Sequence, residues 1–421
     1  MILAPFSRPF SMMAKPVGAR CNLACTYCYY LEKANLTKGN GVMDDKLLET
    51  FIRQYIEAQT VPFVQFTWHG GEPLMRNIRF FKLALDFQKR YAGGRTIENS
   101  IQTNGTLLTD EWCRFFAENR FLVGISIDGP RQHHDAFRHT RRGTSTFDDV
   151  IRGIDLLNKH GVDWNALATV NSANVVEPRE FYEFFREIGC QFLQFTPVVE
   201  RGKIEEGGTR NEERGARSEE GRNSTNEGLS KLPGFDGSGE LMPYSVRAEQ
   251  WGRFLCEVFD LWVRRDVGRL FVQMFDTTLA NWVGEMPGVC TLSKTCANSA
   301  VIEADGTVYD CDHFVFPQYR LGNLRDNTIL ELIYSPQHQQ FARQKTDQLA
   351  SQCKSCEWLF ACHGECPRNR FLPDTDGRFT VNYLCEGYRQ FFQHVAPYMK
   401  FMADELRAKR PPANVMELFK S

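Results

Sequence analysis

The sequence predicts an α/β fold, a partial (β/α)6 barrel of the TIM type, followed by a smaller cysteine-rich domain. Between residues 10 and about 200, β-branched and aromatic runs alternate with amphipathic helical patterns, in about six units of roughly thirty residues. Such alternation indicates parallel strands with right-handed crossovers, and six units fall short of the eight in a closed barrel. From residue 288 onward the chain is instead rich in turns and closely spaced cysteines.

The predicted elements follow one another regularly along the first half of the chain. The strands are predicted at residues 11–17, 63–68, 97–102, 122–127, 163–170 and 192–197. The intervening helices are predicted at residues 44–59, 78–91, 110–118, 147–160 and 177–188. Ligands of such folds bind at the carboxyl ends of the strands, so polar motifs that directly follow a strand are candidate site residues.

Composition changes divide the chain into four predicted parts. These are the barrel at residues 1–241, connecting helices at 242–287, the cysteine-rich domain at 288–396 and a C-terminal helix at 397–421. Within the barrel part, residues 201–241 are dense in Gly, Glu, Arg, Ser and Asn and poor in large apolar residues. Such a segment cannot bury enough apolar surface to order itself, so we expect a flexible insertion. An ordered lid over the substrate is the alternative.

Charge and hydropathy exclude several classes of partner. The net charge of −2 gives no electrostatic reason to expect nucleic acid or an anionic membrane as a partner. No run of 18 apolar residues exists, and the first eighteen residues lack the order of a signal peptide. We therefore expect a cytoplasmic protein, whose fourteen cysteines serve metal binding or catalysis rather than disulfides.

Three cysteines, Cys21, Cys25 and Cys28, have CxxxCxxC spacing on a loop directly after the first predicted strand. Three thiolates can hold three irons of a [4Fe–4S] cube, which leaves the fourth iron open to a small molecule. A zinc site or three structural thiols are the alternatives. A zinc knuckle usually has a fourth Cys or His nearby, and none follows within thirty residues.

A second group of cysteines lies between residues 290 and 385. Its members are Cys290, Cys296, Cys311, Cys353, Cys356, Cys362, Cys366 and Cys385. Eight thiolates are enough for two fully ligated [4Fe–4S] cubes, although two four-cysteine zinc sites fit the same residues. The remaining Cys113, Cys190 and Cys256 lie in apolar contexts, and we interpret them as buried packing residues.

The second predicted strand is followed by the motif HGGEP at residues 69–73. Gly70 and Gly71 permit a tight turn and a close approach of the backbone to a ligand. Glu72 offers a carboxylate where an ammonium group could bind. A plain turn between strand and helix is the alternative, and His69 alone has no certain role.

The third and fourth predicted strands are also followed by polar residues. The motif QTNGT at residues 102–106 can hydrogen-bond a ligand without adding charge. Ser126 follows the fourth strand, and Arg138 carries a guanidinium whose geometry suits a carboxylate. The neighbouring positive charges, taken alone, favour a surface salt bridge for Arg138.

The cysteine loop and the GGEP motif together resemble the radical S-adenosylmethionine (SAM) enzymes. In that superfamily SAM binds the open iron, and one electron from the cube cleaves SAM to a 5′-deoxyadenosyl radical. The resemblance also implies the partial barrel. The SAM contacts that it implies are Tyr27, His69, Gly70, Gly71, Glu72, Ser126 and Arg138.

The second cysteine group resembles the SPASM auxiliary-cluster domain, in which the ligands of two [4Fe–4S] clusters are interleaved along the chain. The inner cluster would take Cys290, Cys296, Cys311 and Cys366. The outer cluster would take Cys353, Cys356, Cys362 and Cys385. A saturated cube has no free iron for a substrate, so these clusters would carry electrons or shape the pocket. The resemblance therefore implies three clusters in all.

Within the SPASM group, the chain resembles the anaerobic sulfatase-maturating enzymes over nearly its whole length, residues 201–241 excepted. The matching runs are residues 15–23, 28–33, 102–106, 126–130 and 311–314. These enzymes oxidise a Cys or Ser in a CxPxR or SxPxR sequence of a sulfatase to Cα-formylglycine. The resemblance implies an unfolded or nascent sulfatase as substrate, and a flavodoxin- or ferredoxin-type electron donor.

The resemblance also implies roles for two further residues. Asp312, directly after Cys311, matches the proposed general base, and Tyr30 matches a tyrosine near the substrate. An ordinary loop aspartate that bonds its own backbone is the alternative for Asp312.

Three other functions are weighed against this one. The first is another SPASM maturase, which crosslinks a ribosomal peptide through thioether or carbon–carbon bonds. Such enzymes often carry a recognition domain before the cluster loop, and only twenty residues precede Cys21. The second is an electron carrier with three clusters, which would need no SAM site. The third is a zinc-binding scaffold.

Overall fold

A computed structural model of the chain describes residues 9–31, 33, 41–202, 240–296 and 299–419. The chain separates into two compact units. The first unit comprises Met1–Ala168, Ile188–Gln194 and Thr295–Asp347. The second unit comprises Thr169–Glu187, Phe195–Lys294 and Gln348–Ser421.

The secondary structure alternates strands and helices before the chain turns irregular. In chain order, the strands are β1 (Ser11–Ala14), β2 (Phe63–Trp68), β3 (Thr96–Thr103), β4 (Leu122–Ser126), β5 (Trp164–Val170), β6 (Phe192–Pro197), β7 (Arg201–Gly202), β8 (Glu240–Leu241), β9 (Phe271–Val272), β10 (Ser299–Ile302), β11 (Thr307–Tyr309), β12 (Arg320–Asn323), β13 (Arg370–Pro373) and β14 (Thr380–Asn382). The α-helices are α1 (Asp45–Ala58), α2 (Ile78–Tyr91), α3 (Asp110–Glu118), α4 (Arg131–Asp135), α5 (Phe147–Lys159), α6 (Pro178–Glu187), α7 (Ala248–Arg265), α8 (Gln273–Val283), α9 (Ile329–Ile333), α10 (Pro336–Asp347), α11 (Ser351–Lys354), α12 (Leu359–Cys362) and α13 (Cys385–Arg407).

The first unit is built on a sheet in which β1 to β5 lie side by side in chain order, followed by the start of β6. Neighbouring strands from β1 to β5 run parallel. Helices α1, α2, α3 and α5 connect them, as expected for right-handed crossovers. This order confirms the predicted partial barrel.

Side-chain caps mark the starts of helices α1, α2 and α3. Asp44 accepts a hydrogen bond from the backbone N–H of Leu47 at the start of α1. Asn77 and Thr109 play the same role at the starts of α2 and α3. An N-cap of this kind is typically worth about 1 kcal/mol, which explains why these helices begin near their predicted positions.

The sheet continues beyond β1 with three strands that the sequence pattern does not predict. Strand β10 pairs in parallel with β1, and β11 and β12 follow as antiparallel neighbours. Each has only three or four residues, too few to show a periodic pattern. Residues 299–323, predicted as part of the cysteine-rich domain, therefore extend the sheet of the first unit.

The second unit contains the long helices α7 and α13, which cross very closely. A Cβ atom on Gly387 would lie 2.2 Å from the carbonyl oxygen of Ala248, and one on Gly252 would lie 2.8 Å from Gly387 Cα. Only glycine permits this approach of two backbones. Helix α13 continues through Pro397, where a separate helix was predicted to begin, because its buried face runs on to either side of the proline.

The segment predicted to be a flexible insertion, residues 201–241, lies mostly outside the described residues. Its two ends are described: β7 and β8 form an antiparallel pair that places Gly202 opposite Glu240. The two described ends of the segment therefore lie side by side.

Cys113, Cys190 and Cys256 are 0%, 5% and 8% exposed, which confirms their interpretation as buried packing residues. None of the helices within the described ranges combines the length and the apolar character that a membrane span requires.

Candidate functional site

The carboxyl ends of three neighbouring parallel strands bring candidate residues together. The last residues of β10, β1 and β2 are level with one another in the register of the sheet. Glu303, Lys15 and His69, which follow these strands, therefore lie side by side. The N–H of Lys15 donates to Ile302 O at 2.9 Å, and that of His69 donates to Ala14 O at 2.8 Å.

The loop that carries Cys21, Cys25 and Cys28 is bound to a neighbouring segment through its backbone. The N–H of Ala24 donates to His139 O, and the N–H of Thr26 donates to Phe137 O, each at 2.9 Å. The loop is therefore preformed, as a three-ligand cluster site requires.

Burial raises the pKa of Cys21 to about 11 and that of Cys25 to about 12. In both cases a smaller contribution comes from the charge of neighbouring thiolates of the same loop, so the three sulfurs lie near one another. Bound cations such as iron offset this penalty, because they stabilise the thiolate form. The donor set therefore fits an iron–sulfur cluster.

Two glycines let the end of β2 pass directly beneath this loop. A Cβ atom on Gly71 would lie 2.0 Å from the carbonyl oxygen of Arg20, and one on Gly70 would lie 2.9 Å from that of Gly18. Gly70 also has a φ of +121°, which few other residues adopt. The paired glycines are therefore required by the packing of the loop on the sheet.

Glu72 connects the ends of β2 and β3. The carboxylate is fully buried and accepts hydrogen bonds from Thr103 Oγ1 at 2.7 Å, Asn104 N at 2.8 Å and Leu74 N at 3.0 Å. Burial raises the pKa of Glu72 to about 7, against the effect of these bonds. The predicted contact of Glu72 with SAM stays a prediction.

Arg138 is buried, so the surface salt bridge that its neighbours in sequence favour is wrong. Its guanidinium donates to Asp128 through Nε at 2.9 Å and Nη2 at 3.1 Å. The hydroxyl of Tyr27 donates to the same carboxylate. Asp128 thus joins two predicted SAM contacts and is itself a residue that the sequence reasoning missed. The pairing of Arg138 with a SAM carboxylate stays a prediction.

The remaining predicted SAM contacts also lie at strand ends. Ser126 Oγ, at the end of β4, accepts a hydrogen bond from Gln102 Nε2 at 3.0 Å. His69 Nδ1 accepts from the N–H of Gly70 at 2.7 Å, which places the proton of the neutral ring on Nε2. Burial lowers the pKa of His69, so the neutral form is favoured.

Asp312 lies in a buried cluster of charged and aromatic residues. Lys15 Nζ forms an ion pair with Asp312, lies 4.0 Å from Glu303 Oε1, and stands 3.4 Å from the centroid of the Tyr30 ring. The hydroxyl of Tyr30 donates to Glu303, and the hydroxyl of Tyr29 donates to Asp312. We call these five residues the lysine cluster.

The two carboxylates of the lysine cluster differ in their electrostatics. Burial opposes ionisation of Asp312, but Lys15, His69 and His313 outweigh it and hold the pKa of Asp312 well below its usual range. Burial raises the pKa of Glu303, despite the nearby Lys15. Asp312 is therefore the carboxylate that stays ionised and can accept a proton.

Tyr30 is buried, with its hydroxyl on Glu303, and its predicted position near the substrate stays a prediction. The sequence reasoning missed Lys15, Glu303 and Tyr29 as partners of Asp312. A signal for Lys15 was present, because it directly follows the first predicted strand. A signal near Glu303 was also present, because Asp305 and Gly306 lie between two short β-branched runs, a pattern typical of a β-hairpin.

Four cysteines of the second unit line one cavity of about 420 Å³. They are Cys353, Cys356, Cys362 and Cys385, the predicted outer set. Burial raises the pKa of Cys362 to about 12 and that of Cys385 to about 11, with added effects of the neighbouring thiolates. Four converging sulfurs around a cavity fit a fully ligated cluster.

The predicted inner set draws on both units. Cys296 and Cys311 belong to the first unit, and Cys290 and Cys366 belong to the second. Its assembly around a single cluster stays a prediction.

Comparisons with known proteins agree with this site. Residues 16–185 match the radical SAM superfamily, and residues 290–357 match the SPASM iron–sulfur cluster-binding domain. A serine-type anaerobic sulfatase-maturating enzyme of Bacteroides thetaiotaomicron is 54% identical over 419 residues, which cover 99% of this chain and 97% of that protein. A cysteine-type anaerobic sulfatase-maturating enzyme of Clostridium perfringens is 31% identical over 404 residues, covering 95% of this chain and all of that protein.

A solved structure of native anSMEcpe with bound AdoMet (SAM) and Cp18Cys peptide is also similar. It has a TM-score of 0.79 at 30% identity, and the match covers 94% of this chain and 100% of that chain. The fold, the iron–sulfur domains and the relatives lead to one family. The chain belongs to the anaerobic sulfatase-maturating enzymes, radical SAM oxidoreductases with auxiliary iron–sulfur clusters that convert a Cys or Ser of a sulfatase to Cα-formylglycine.

Proposed function

We propose that this enzyme oxidises a serine, within an SxPxR sequence of an unfolded or nascent sulfatase, with Asp312 as the general base. The observation that carries the proposal is the partly buried Asp312 carboxylate, directly after Cys311 and ion-paired with the fully buried Lys15. The preference for serine rests on the 54% identity to a serine-type enzyme, against 31% to a cysteine-type one.

The cysteines divide into three sets under this proposal. Cys21, Cys25 and Cys28 would hold the cube that binds SAM, and the eight later cysteines would hold the two auxiliary clusters. Bound SAM and its cube would supply the radical chemistry that removes hydrogen from the target Cβ, and the auxiliary clusters would accept the remaining electron. Tyr27, His69, Gly70, Gly71, Glu72, Ser126 and Arg138 would surround SAM at the strand ends.

The role of Asp312 is to accept the hydroxyl or thiol proton of the target residue. Its ionised state is favoured by Lys15, so the carboxylate is available as an acceptor at neutral pH. Tyr29 donates to the same carboxylate and limits its rotation. Tyr30 stabilises this arrangement indirectly, because its hydroxyl donates to Glu303 and its ring packs against Lys15 Nζ.

We further propose a flavodoxin- or ferredoxin-type electron donor and a cytoplasmic location. All fourteen cysteines are free of disulfides, and thiols that must bind iron persist best in a reducing compartment.

The test compares two peptides that differ only in Ser or Cys within the xPxR sequence. The reconstituted enzyme is incubated anaerobically with SAM and reductant, and both the peptide aldehyde and 5′-deoxyadenosine are measured. We expect aldehyde from the Ser peptide. We expect Asp312→Asn to lower aldehyde formation by about 10²–10⁴-fold while SAM cleavage continues.

The loss in Asp312→Asn should be greater for Ser than for Cys, because a hydroxyl is much harder to deprotonate than a thiol of pKa about 8.5. Turnover of the Cys peptide alone would contradict the serine preference. An unchanged aldehyde rate in the variant, with iron content intact, would contradict the base.

A further inference from the structure

We infer that Lys15 is a positioning residue for the reaction, and that it acts by fixing the direction of the Asp312 carboxylate. The inference rests on the proposed role of Asp312 as base. It starts from the contacts of that carboxylate, whose two oxygens face Lys15 Nζ and the hydroxyl of Tyr29.

Asp312 has little backbone support of its own. It begins a single 3-10 turn, Asp312–Phe314, and Cys311 before it makes no side-chain cap on that turn. A turn of three residues does not dictate one rotamer of its first side chain. The direction of the carboxylate must therefore come from the groups that contact it.

Lys15, by contrast, is held firmly at both ends of its side chain. Its backbone is bonded into the sheet through Ile302 O, at the point where β1 and β10 end together. Its ammonium group is fully buried, 3.4 Å from the centroid of the Tyr30 ring. The Tyr30 hydroxyl is in turn fixed by Glu303, so ring and cation share one support.

A fixed cation at this place does more than neutralise charge. A general base works only when its lone pair points at the proton within hydrogen-bond reach. Lys15 contacts one oxygen of the Asp312 carboxylate, and Tyr29 contacts the other. These two contacts fix the plane of the carboxylate and so the directions of the lone pairs that remain free to accept a proton. The same contacts join the loop of Cys28 to the loop of Cys311, because Tyr29 and Asp312 follow these cysteines directly.

The test is a double-variant cycle of Lys15→Met and Asp312→Asn, with aldehyde, 5′-deoxyadenosine and peptide KM measured in each reconstituted protein. We expect Lys15→Met to lower kcat for aldehyde by about 10²-fold, with KM little changed and SAM cleavage maintained. In the Asp312→Asn background the same substitution should cause no further loss, because Lys15 then has no base to position.

Thermal unfolding provides a readout that is independent of activity. Lys15→Met leaves the partly buried Asp312 carboxylate without its cation, so the Tm should fall, and adding Asp312→Asn should restore part of it. Lys33→Met is the matched control, because Lys33 is also buried and stands 3.1 Å from the centroid of the Phe316 ring. We expect the control to retain the parent kcat.

Lys15→Gln keeps a hydrogen-bond donor and replaces the methionine variant in the cycle if that protein fails to retain iron. Equal factors of loss in the parent and Asp312→Asn backgrounds would overturn the inference, as would a parallel loss of SAM cleavage. A normal rate in Asp312→Asn alone would instead refute the base role of the proposed function. The two failures are therefore distinguished by the single variants.

Discussion

Buried ionisable residues support the strand-end loops of the first unit, and His134 is one whose protonation state has a measurable consequence. Its ring is fully buried, Nδ1 accepts from Asp128 N at 3.4 Å, and Nε2 lies 2.9 Å from Thr146 Oγ1. Burial lowers the pKa of His134 to about 4, and the nearby Arg138 adds to this effect. The ring is therefore neutral in the folded protein, where it supports the loop of Asp128.

The first prediction concerns the stability of the protein as a function of pH. An unfolded histidine has a pKa of about 6.5, whereas the pKa of His134 in the folded protein is about 4. Between these two pH values the unfolded state is protonated at this residue and the folded state is not. Stability is thus lost as the pH falls. His134 should account for about 1 kcal/mol of the loss between pH 7.5 and 5.5.

The measurement is denaturant unfolding of the parent and of His134→Gln under anaerobic conditions at both pH values. The substitution can itself change the free energy of unfolding. The quantity compared is therefore the change in that free energy between the two pH values in each protein. If the variant loses as much stability as the parent between pH 7.5 and 5.5, the pKa of His134 is not lowered in the folded protein.

At the scale of elements, the turn at the end of β2 determines whether the cysteine loop can lie on the sheet. The N–H of Gly71 donates to Gly18 O, and that of Glu72 donates to Arg20 O, each at 2.8 Å. These bonds hold the loop and the turn in backbone contact, with no room for a side chain at Gly71. The SAM-side cluster site therefore depends on a steric condition as well as on its three thiols.

Gly71→Ala should displace the loop and remove the cluster at Cys21, Cys25 and Cys28. Overpacking of this kind typically costs about 1–3 kcal/mol, and the loop is the part that can yield. We expect a loss of about four irons per chain, one cube's worth, with the auxiliary clusters kept. Gly288→Ala is the control, because a Cβ atom there meets nothing within 4 Å. A parent-like iron content in Gly71→Ala would contradict this account.

The elements that the sequence predicts well are those with a long periodic pattern. Strands β2 and β6 and helices α2 and α3 have the predicted bounds, because apolar residues recur over six or more positions in each. Strands β10 to β12 were missed because short strands in a turn-rich region leave no such pattern. The cysteine sets were visible because ligand spacing is a local property of sequence.

The contacts of the site could not be predicted to the same degree. That Lys15 pairs with Asp312, or Arg138 with Asp128, depends on which strands become neighbours and on the depth at which each side chain is buried. The charges around Arg138 in the sequence indicated a surface position, and only the packing of its loop buries it. Pairing between distant parts of a chain has no local signal.

At the scale of the whole molecule, metal content follows from the number of cysteine sets. Eleven cysteines outside the apolar core are predicted to form one set of three and two of four, which corresponds to about twelve irons per chain. Replacing Cys21, Cys25 and Cys28 by Ala together should remove about four of them and abolish 5′-deoxyadenosine formation. Iron analysis of the purified parent and triple variant measures the first effect, and an assay of 5′-deoxyadenosine measures the second. A parent with one cube's iron would contradict the two auxiliary clusters.

The pairing of β1 with β10 also fixes the order in which the protein can be completed during synthesis. Ser11 lies opposite Ser299, so the outer edge of β1 has no partner until residues near 300 have left the ribosome. Closing so long a loop costs conformational entropy, which the contacts between the strands offset only once both strands are present. The pairing of β1 with β10 is therefore expected to form late and slowly. Until then β1 is an open sheet edge, and Glu303 and Asp312 have not yet reached Lys15. The segment that covers this edge also supplies Glu303 and Asp312 to the lysine cluster, so a chain truncated before it would lack both the edge strand and the cluster.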